Sequence, residues 1–283
     1  MTEGLADISS RIDGVRQLGS VVNAIKGIAA ARARGARRGL VAVDSYAATI
    51  AAAMASVVPS DRTVPAPDVP EKTGILAFCA EQGFAGVFNA RVLDAIADGP
   101  GADALLLVGT RGLSVAQARG IVPIWSGRMP SGITGIPRLA AGIVEAALGV
   151  FDSGRLQRLD IVHTAVDSGQ LGVVRKPLFP LDPADFPAAQ AEPPLIQLPA
   201  EELVESLGAE YLHARVCRAA IHALVAENEA RMQTMAAAGN QIERRLNALV
   251  ATQRQVRQEQ ITSEIIELGS GKTRRRPGRD ISD

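Results

Sequence analysis

Aromatic residues make up only 3% of the 283 residues, so any core has to be built from Ala, Val, Leu and Ile. Cys79 and Cys217 are the only cysteines and lie in different segments. That excludes a disulfide framework and reads as two buried free thiols in a reducing compartment. Thirty Lys and Arg balance thirty Asp and Glu, which removes any general attraction for nucleic acid or an acidic membrane. Met1 to Asp13 are polar and lack the apolar run of a signal peptide and the arginine-rich, acid-poor look of a transit peptide. No window is read as approaching the ~20 apolar residues of a membrane span, so a soluble chain is expected. His163, His213 and His222 are scattered, with no Cys or carboxylate at metal-ligand spacing, and Ser114, Ser126 and Ser168 have no nucleophile-elbow context. The expectation is no catalytic residue, no metal and no cofactor.

Proline is plentiful but confined. Fifteen of the sixteen fall between Pro59 and Pro199, and none lies between Pro199 and Pro277, so little forbids helix over Glu201 to Leu268, with Gly269 as its expected end. At ~1.5 Å per residue this predicts a rod of about 100 Å. Counting by sevens gives Leu207, Ala214, Ile221, Asn228, Met235, Ile242, Leu249 and Val256, a seam with one polar interruption, as a coiled coil needs. At the other end Ile8, Val15, Val22, Ala29, Ala36, Val43, Ile50 and Val57 form a matching seam. A second series, Leu5, Ile12, Gly19, Lys26, Ala33, Leu40, Ala47 and Met54, lies beside it. Gly14, Gly19, Gly27, Gly35 and Gly39 each cost roughly 1 kcal/mol against Ala in an isolated helix, and they are expected where backbones cross closely. Arg32, Arg34, Arg37 and Arg38 are either a solvated face or a docking surface for acidic loops.

Between the rods the pattern changes. Strands are expected at Gly74–Cys79, Ala104–Val108, Ile121–Trp125 and Leu159–Val166, and helices at Val87–Ala97, Thr110–Ala118 and Pro137–Phe151. This alternation predicts βαβ units and a parallel sheet. Arg175 to Pro199 reads as an extended return to the second rod. After the first strand, Glu81-Gln82-Gly83-Phe84-Ala85-Gly86 has two glycines before a helix, as an anion-binding loop would. It lacks G-x-G-x-x-G and a P-loop lysine, and the bulk of Phe84 favours a plain strand-to-helix turn.

Several stretches carry a family likeness. Glu227-Asn228-Glu229-Ala230-Arg231-Met232 corresponds to a Glu-x-x-Ala-Arg-Met signature. Further on come Arg257-Gln258, Ile261-Thr262, Glu264 and Gly269-Ser270-Gly271. Ile25-Lys26-Gly27-Ile28-Ala29-Ala30-Ala31-Arg32, Gln82-Gly83-Phe84-Ala85-Gly86-Val87-Phe88-Asn89 and Phe179-Pro180-Leu181 follow the same family's order. On these residues the chain resembles the gamma subunits of F-type ATP synthases, the central rotor stalk.

The resemblance implies an α/β fold: a long antiparallel coiled coil of N- and C-terminal helices with an inserted Rossmann-like α/β domain. The expected divisions are 1–58 for the first helix, 73–182 for the inserted domain, 201–268 for the second helix and 269–283 for a basic tail. It implies a non-catalytic rotary shaft coupling ion flow through a c-ring to ATP synthesis or hydrolysis. The implied partners are the alpha and beta subunits, the epsilon subunit and the c-ring, with no nucleic acid and with membrane contact only through the complex. The implied location is the cytoplasmic side of a bacterial inner membrane. Arg257, Gln258 and Thr262 match positions that touch beta-subunit loops, Arg254 is a neighbouring candidate, and Ile25 and Lys26 match the N-terminal contact stretch. Ala236 to Gln241 depart from the family's polar segment there, and the basic tail departs from its usual ending. Two other classes stand beside this reading, a small-ligand-binding α/β protein and a coiled-coil interaction protein unrelated to rotation.

Overall fold

The computed structural model describes residues 4–57, 72–99, 102–182, 186–187 and 195–273. The proline-free stretches fold as expected. Helix α1 spans Leu5–Val57 and helix α5 spans Ala200–Thr273, 74 residues without a break. α5 runs on past Gly269, where a stop was expected. Glycine ends a helix only where the chain reverses in the left-handed region, and Gly269 stays helical instead. The rest of the basic tail, residues 274–283, lies outside the described residues.

Between the long helices come β1 (Thr73–Phe78), α2 (Phe88–Ala97), β2 (Ala104–Val108), α3 (Thr110–Ala118), β3 (Trp125–Gly127), α4 (Ile136–Asp152), β4 (Arg158–Asp167) and β5 (Gln170–Phe179). The third strand is shorter and later than Ile121–Trp125. The sheet order is β3-β2-β1-β4-β5. β1 pairs in parallel with β2 and β4, and β2 with β3, but β5 runs antiparallel to β4. The wholly parallel sheet is therefore corrected to a mixed one. Ser168 and Gly169, at φ 48° and 81°, make the tight turn that lets the chain double straight back, because two consecutive positive-φ residues match the twist of a hairpin.

The chain divides into two compact units, Met1–Ile25 with Met235–Asp283, and Lys26–Thr234. In the larger unit the parallel strands are buried on both faces, so their side chains alternate between two cores. Leu76, Phe78, Leu106, Val108, Leu159 and Ile161 join Ile136, Ala140 and Ile143 of α4 and the stretch of α5 from Leu212 to Val225. Ile75, Ala77, Leu105, Leu107 and Val162 join Val92 and Leu93 of α2, Ala116 of α3, and Ala226 and Ala230 of α5. Here α1 lies antiparallel to α5, with Arg37 paired to Glu229, Asp44 to Arg218 at 2.7 Å, and the Tyr46 hydroxyl donating to Glu210 at 2.6 Å.

In the smaller unit the same two helices also run antiparallel. Gln253 donates to the Ser9 hydroxyl at 2.8 Å, and a Cβ on Gly19 would sit 3.4 Å from Ile242. Ile8, Ile12 and Val22 are buried and Ile242, Leu249 and Val256 half-buried, so both heptad seams face inward. Of the α1 glycines, only Gly19 and Gly39 approach other side chains. Gly14, Gly27 and Gly35 face open space, which corrects the expectation that each marks a close crossing.

Two helical segments, Leu5–Val57 and Ile133–Asp152, contain an 18-residue window long and apolar enough to cross a membrane, at mean hydropathy 1.6 and 1.4. The expectation that no window comes close is corrected. Ala, Val and Ile supply that hydropathy, and core helices meet the same criterion; in the second segment Ile136, Ala140, Ile143 and Ala147 are buried.

Candidate functional site

The family-like signature on α5 is a buried polar cluster in an otherwise apolar stretch. Glu227, Asn228 and Arg231 are 3%, 1% and 4% exposed. The i, i+4 spacing places Glu227 and Arg231 on one helix face, where they form an ion pair. Arg231 also donates to Asn228 Oδ1 at 2.9 Å, to the Gly83 carbonyl at 3.1 Å and to the Gln82 carbonyl at 3.3 Å. The Glu227 carboxylate accepts the backbone N–H of Glu81 at 3.1 Å and of Gln82 at 3.2 Å. Each charge is thus paired and its remaining capacity used, the condition under which a buried ion pair is tolerated.

This cluster answers the question posed by the loop after β1. In doubly wound sheets a ligand lies beyond the carboxyl ends of the strands, where the strand order reverses, and its phosphate takes the N–H groups of the first strand-to-helix turn. Here the reversal lies between β1 and β4; the turn's Ala80 N–H goes to Asn89 Oδ1 at 2.7 Å and those of Glu81 and Gln82 go to Glu227. The anion on these last two N–H groups is the chain's own carboxylate. The loop is held further by Arg32, which donates to Gln82 Oε1 at 2.9 Å. Phe84 stands outward, 66% exposed at φ 63°. Glu81 turns the other way and accepts from Thr110 N and Oγ1 at 3.0 and 2.8 Å, from Met129 N at 3.0 Å and from Arg128 at 3.4 Å. Burial pushes the Glu81 carboxyl up, but these hydrogen bonds, Thr110 foremost, outweigh it and leave the pKa lowered.

Gly109 and Gly112 make the adjoining turn possible. Gly109 sits at φ 112°, and a side chain at either position would strike Cys79. Cys79 and Cys217 are both buried free thiols. Burial, with Glu227 nearby, pushes Cys79 up to about 12, and burial pushes Cys217 up to about 11, so both are unreactive packing residues.

Arg254, Arg257, Gln258 and Thr262 lie on one side of α5 in the smaller unit, and all four are exposed. Thr262 Oγ1 returns its proton to the Gln258 carbonyl at 2.8 Å, and among the described residues neither arginine forms an ion pair. Ile25 is half-buried and not beside them. The Ser9–Gln253 and Gly19–Ile242 contacts set it level with residues near 236, about 30 Å along the helix from Arg257. Lys26, exposed, begins the other unit. Two histidines that looked unrelated in sequence are brought together: the rings of His163 on β4 and His222 on α5 are 5.7 Å apart. His213 stands elsewhere, with Nε2 3.1 Å from the Pro137 carbonyl. Among the described residues no group of three or more His, Cys, Asp or Glu is placed to hold a metal.

Long antiparallel terminal helices joined through a doubly wound domain, with N–H groups of its first strand-to-helix turn taken by the chain's own carboxylate, define a stalk-type subunit. The ATP synthase family model matches residues 4–273. The ATP synthase gamma chain of Bdellovibrio bacteriovorus is 25% identical over 289 residues, covering 94% of this chain and 97% of its own. A chain of the Euglena gracilis mitochondrial ATP synthase rotor in rotational state 1 shares the fold at TM-score 0.64 and 16% identity, over 91% of this chain and 98% of that one. A chain from the OSCP/F1/c-ring assembly of the same enzyme superposes at TM-score 0.68 and 14% identity, over 99% and 98%. The chain belongs to the ATP synthase family, on its gamma-chain branch. Its function is that of a rotor shaft within the membrane-associated ATP synthase complex; the small-ligand and unrelated coiled-coil readings are not favoured.

Proposed function

We propose that the chain turns inside a ring of alternating alpha and beta subunits on the cytoplasmic face of a bacterial inner membrane, with the epsilon subunit and c-ring at its foot. In this reading 1–58 and 201–268 are the shaft, 73–182 is the inserted domain and 269–283 is a basic tail. Arg254, Arg257, Gln258 and Thr262 meet acidic or carbonyl-rich loops of a beta subunit, since a guanidinium fork grips a carboxylate through two parallel hydrogen bonds. Ile25 and Lys26 form a second, separate contact level. The observation that carries this reading is the family match over both long helices and the domain between them. The exposure of Arg257 and Gln258 leaves them available to a partner.

Torque needs an asymmetric shaft rather than an active site: each angular position offers a different face to each beta subunit and biases its nucleotide-site conformation. The catalytic chemistry stays on the ring. The test is affinity purification of this chain from its native membrane followed by subunit stoichiometry. One copy per alpha–beta ring is expected; recovery of the chain without alpha and beta subunits, or in several copies per ring, would overturn the reading.

A further inference from the structure

On the sheet face that carries Ile161 and His163, a cavity of about 220 Å³ lies between β4, β5 and α5. Its polar lining is His163 from β4, Lys176 from β5, and Arg215, Arg218 and His222 from α5. The strand register sets Lys176 opposite Ile161 and so diagonally beside His163 on the same face. The spacing 215, 218, 222 puts the three α5 residues on one stripe. Among the described residues no carboxylate lines the cavity. Asp44 of α1 engages Arg218 at 2.7 Å, and Arg215 donates to the Pro177 carbonyl at 2.6 Å and lies over the Tyr211 ring. His163 is 8% exposed, and its Nδ1 is buried with no hydrogen-bond partner among the described residues. Native buried polar atoms are nearly always paired, so the unpaired Nδ1 of a residue that lines a cavity of cations leaves a hydrogen-bonding capacity unmet.

The geometry points to a binding site for a small oxyanion of the phosphate class, held by Lys176, Arg215 and Arg218 with the His163 and His222 imidazoles as further donors. A metal cation would meet Lys176, Arg215 and Arg218 with no carboxylate in the described lining, and that lining has no Phe, Tyr or Trp to stack on a nucleotide base. The protonation states fit. Burial first, then His222, Lys176 and Arg218, hold His163 down to about 4, and burial with Arg218 lowers His222 against the raising effect of Asp44. Both rings are neutral while no anion is present. A bound dianion reverses that field, so binding takes up protons and strengthens as the pH falls.

The chain has three histidines, so the imidazole C–H signals of the full-length protein can be assigned with single His→Gln variants. Titration with inorganic phosphate is expected to shift His163 and His222 and leave His213 in place. Sulfate, whose charge is constant over the range, should bind more tightly at pH 6 than at pH 8. Lys176→Met, at an exposed position, should weaken phosphate binding about tenfold without changing the fold, as loss of a charge-assisted hydrogen bond does. Imidazole signals that stay fixed at saturating phosphate, a response to ATP alone, or Lys176→Met binding as tightly as the parent would each overturn the site.

Discussion

Between Tyr211 and Arg231 α5 is buried on almost every side, whereas from Glu259 to Leu268 every side chain is exposed, Ile261, Ile265, Ile266 and Leu268 among them. Both stretches are regular helix of one element. Helical propensity does not separate them; their surroundings do. The first is the central strut of two cores and spends its charges, Glu227 and Arg231, on its own backbone loop. The second buries none of its side chains among the described residues, and just before it Arg254, Arg257 and Gln258 also point outward. A charge buried and paired inside the fold serves stability, and a charge left outside is available for the assembly contacts proposed above.

That contrast can be broken by mutation. The largest effect is expected at Arg231→Ala, which strands the Glu227 carboxylate in the core and should lower stability by about 3–5 kcal/mol. Urea unfolding of the isolated chain measures it, and a loss below 1 kcal/mol would mean the pair is not integral to the core.

Acid should act next. His163 is depressed from 6.5 to about 4 when folded, so the unfolded chain binds the proton first. The neutral, folded form is fully favoured above pH 6.5, and stability on the order of 3 kcal/mol is lost as the pH falls from 6.5 through 4. His163→Gln should flatten that part of the pH–stability curve. The lowered Glu81 carboxyl acts in the same direction at lower pH, since its stabilising hydrogen bonds are lost as it protonates.

Smaller gains are expected in α1. Gly14→Ala, Gly27→Ala and Gly35→Ala meet nothing and should each raise stability by roughly 0.5–1 kcal/mol. Gly112→Ala, made against Cys79, should lower it; thermal melts of the four variants separate open from crowded glycines. Smallest is Arg257→Ala, within about 0.5 kcal/mol of the parent in isolation. Its effect should appear only in the assembled ATPase, as reduced coupling of ion pumping to hydrolysis in membrane vesicles, and a large loss in the free chain would place Arg257 on the wrong side of the comparison.

The elements with strong local signals were legible in the sequence. The long helices follow from proline placement and heptads, and β2 ends where its apolar run ends. β5 was not, because Arg175, Lys176 and Pro177 interrupt its apolar run and it lies at the sheet edge. Its clue was Ser168-Gly169, a hairpin turn between two extended runs. The His163–His222 meeting was invisible because nothing in helical spacing relates a strand residue to one on α5. The roles of Glu227 and Arg231 left a trace, an i, i+4 acid–base pair inside a run of alanine, valine and leucine. Such a pair on a stretch buried all round has to find its partners inside the protein.

The carboxylate that takes two N–H groups of the turn after β1 has a thermodynamic consequence. A domain that relied on bound nucleotide there would gain stability as RT ln(1 + [L]/Kd), and its folded fraction would follow the cell's nucleotide level. Glu227 is tethered to the same polypeptide, so its occupancy is set by an effective concentration that no metabolite can change. The hold of Glu227 on this turn is therefore independent of the ATP concentration that the rest of the enzyme exists to alter.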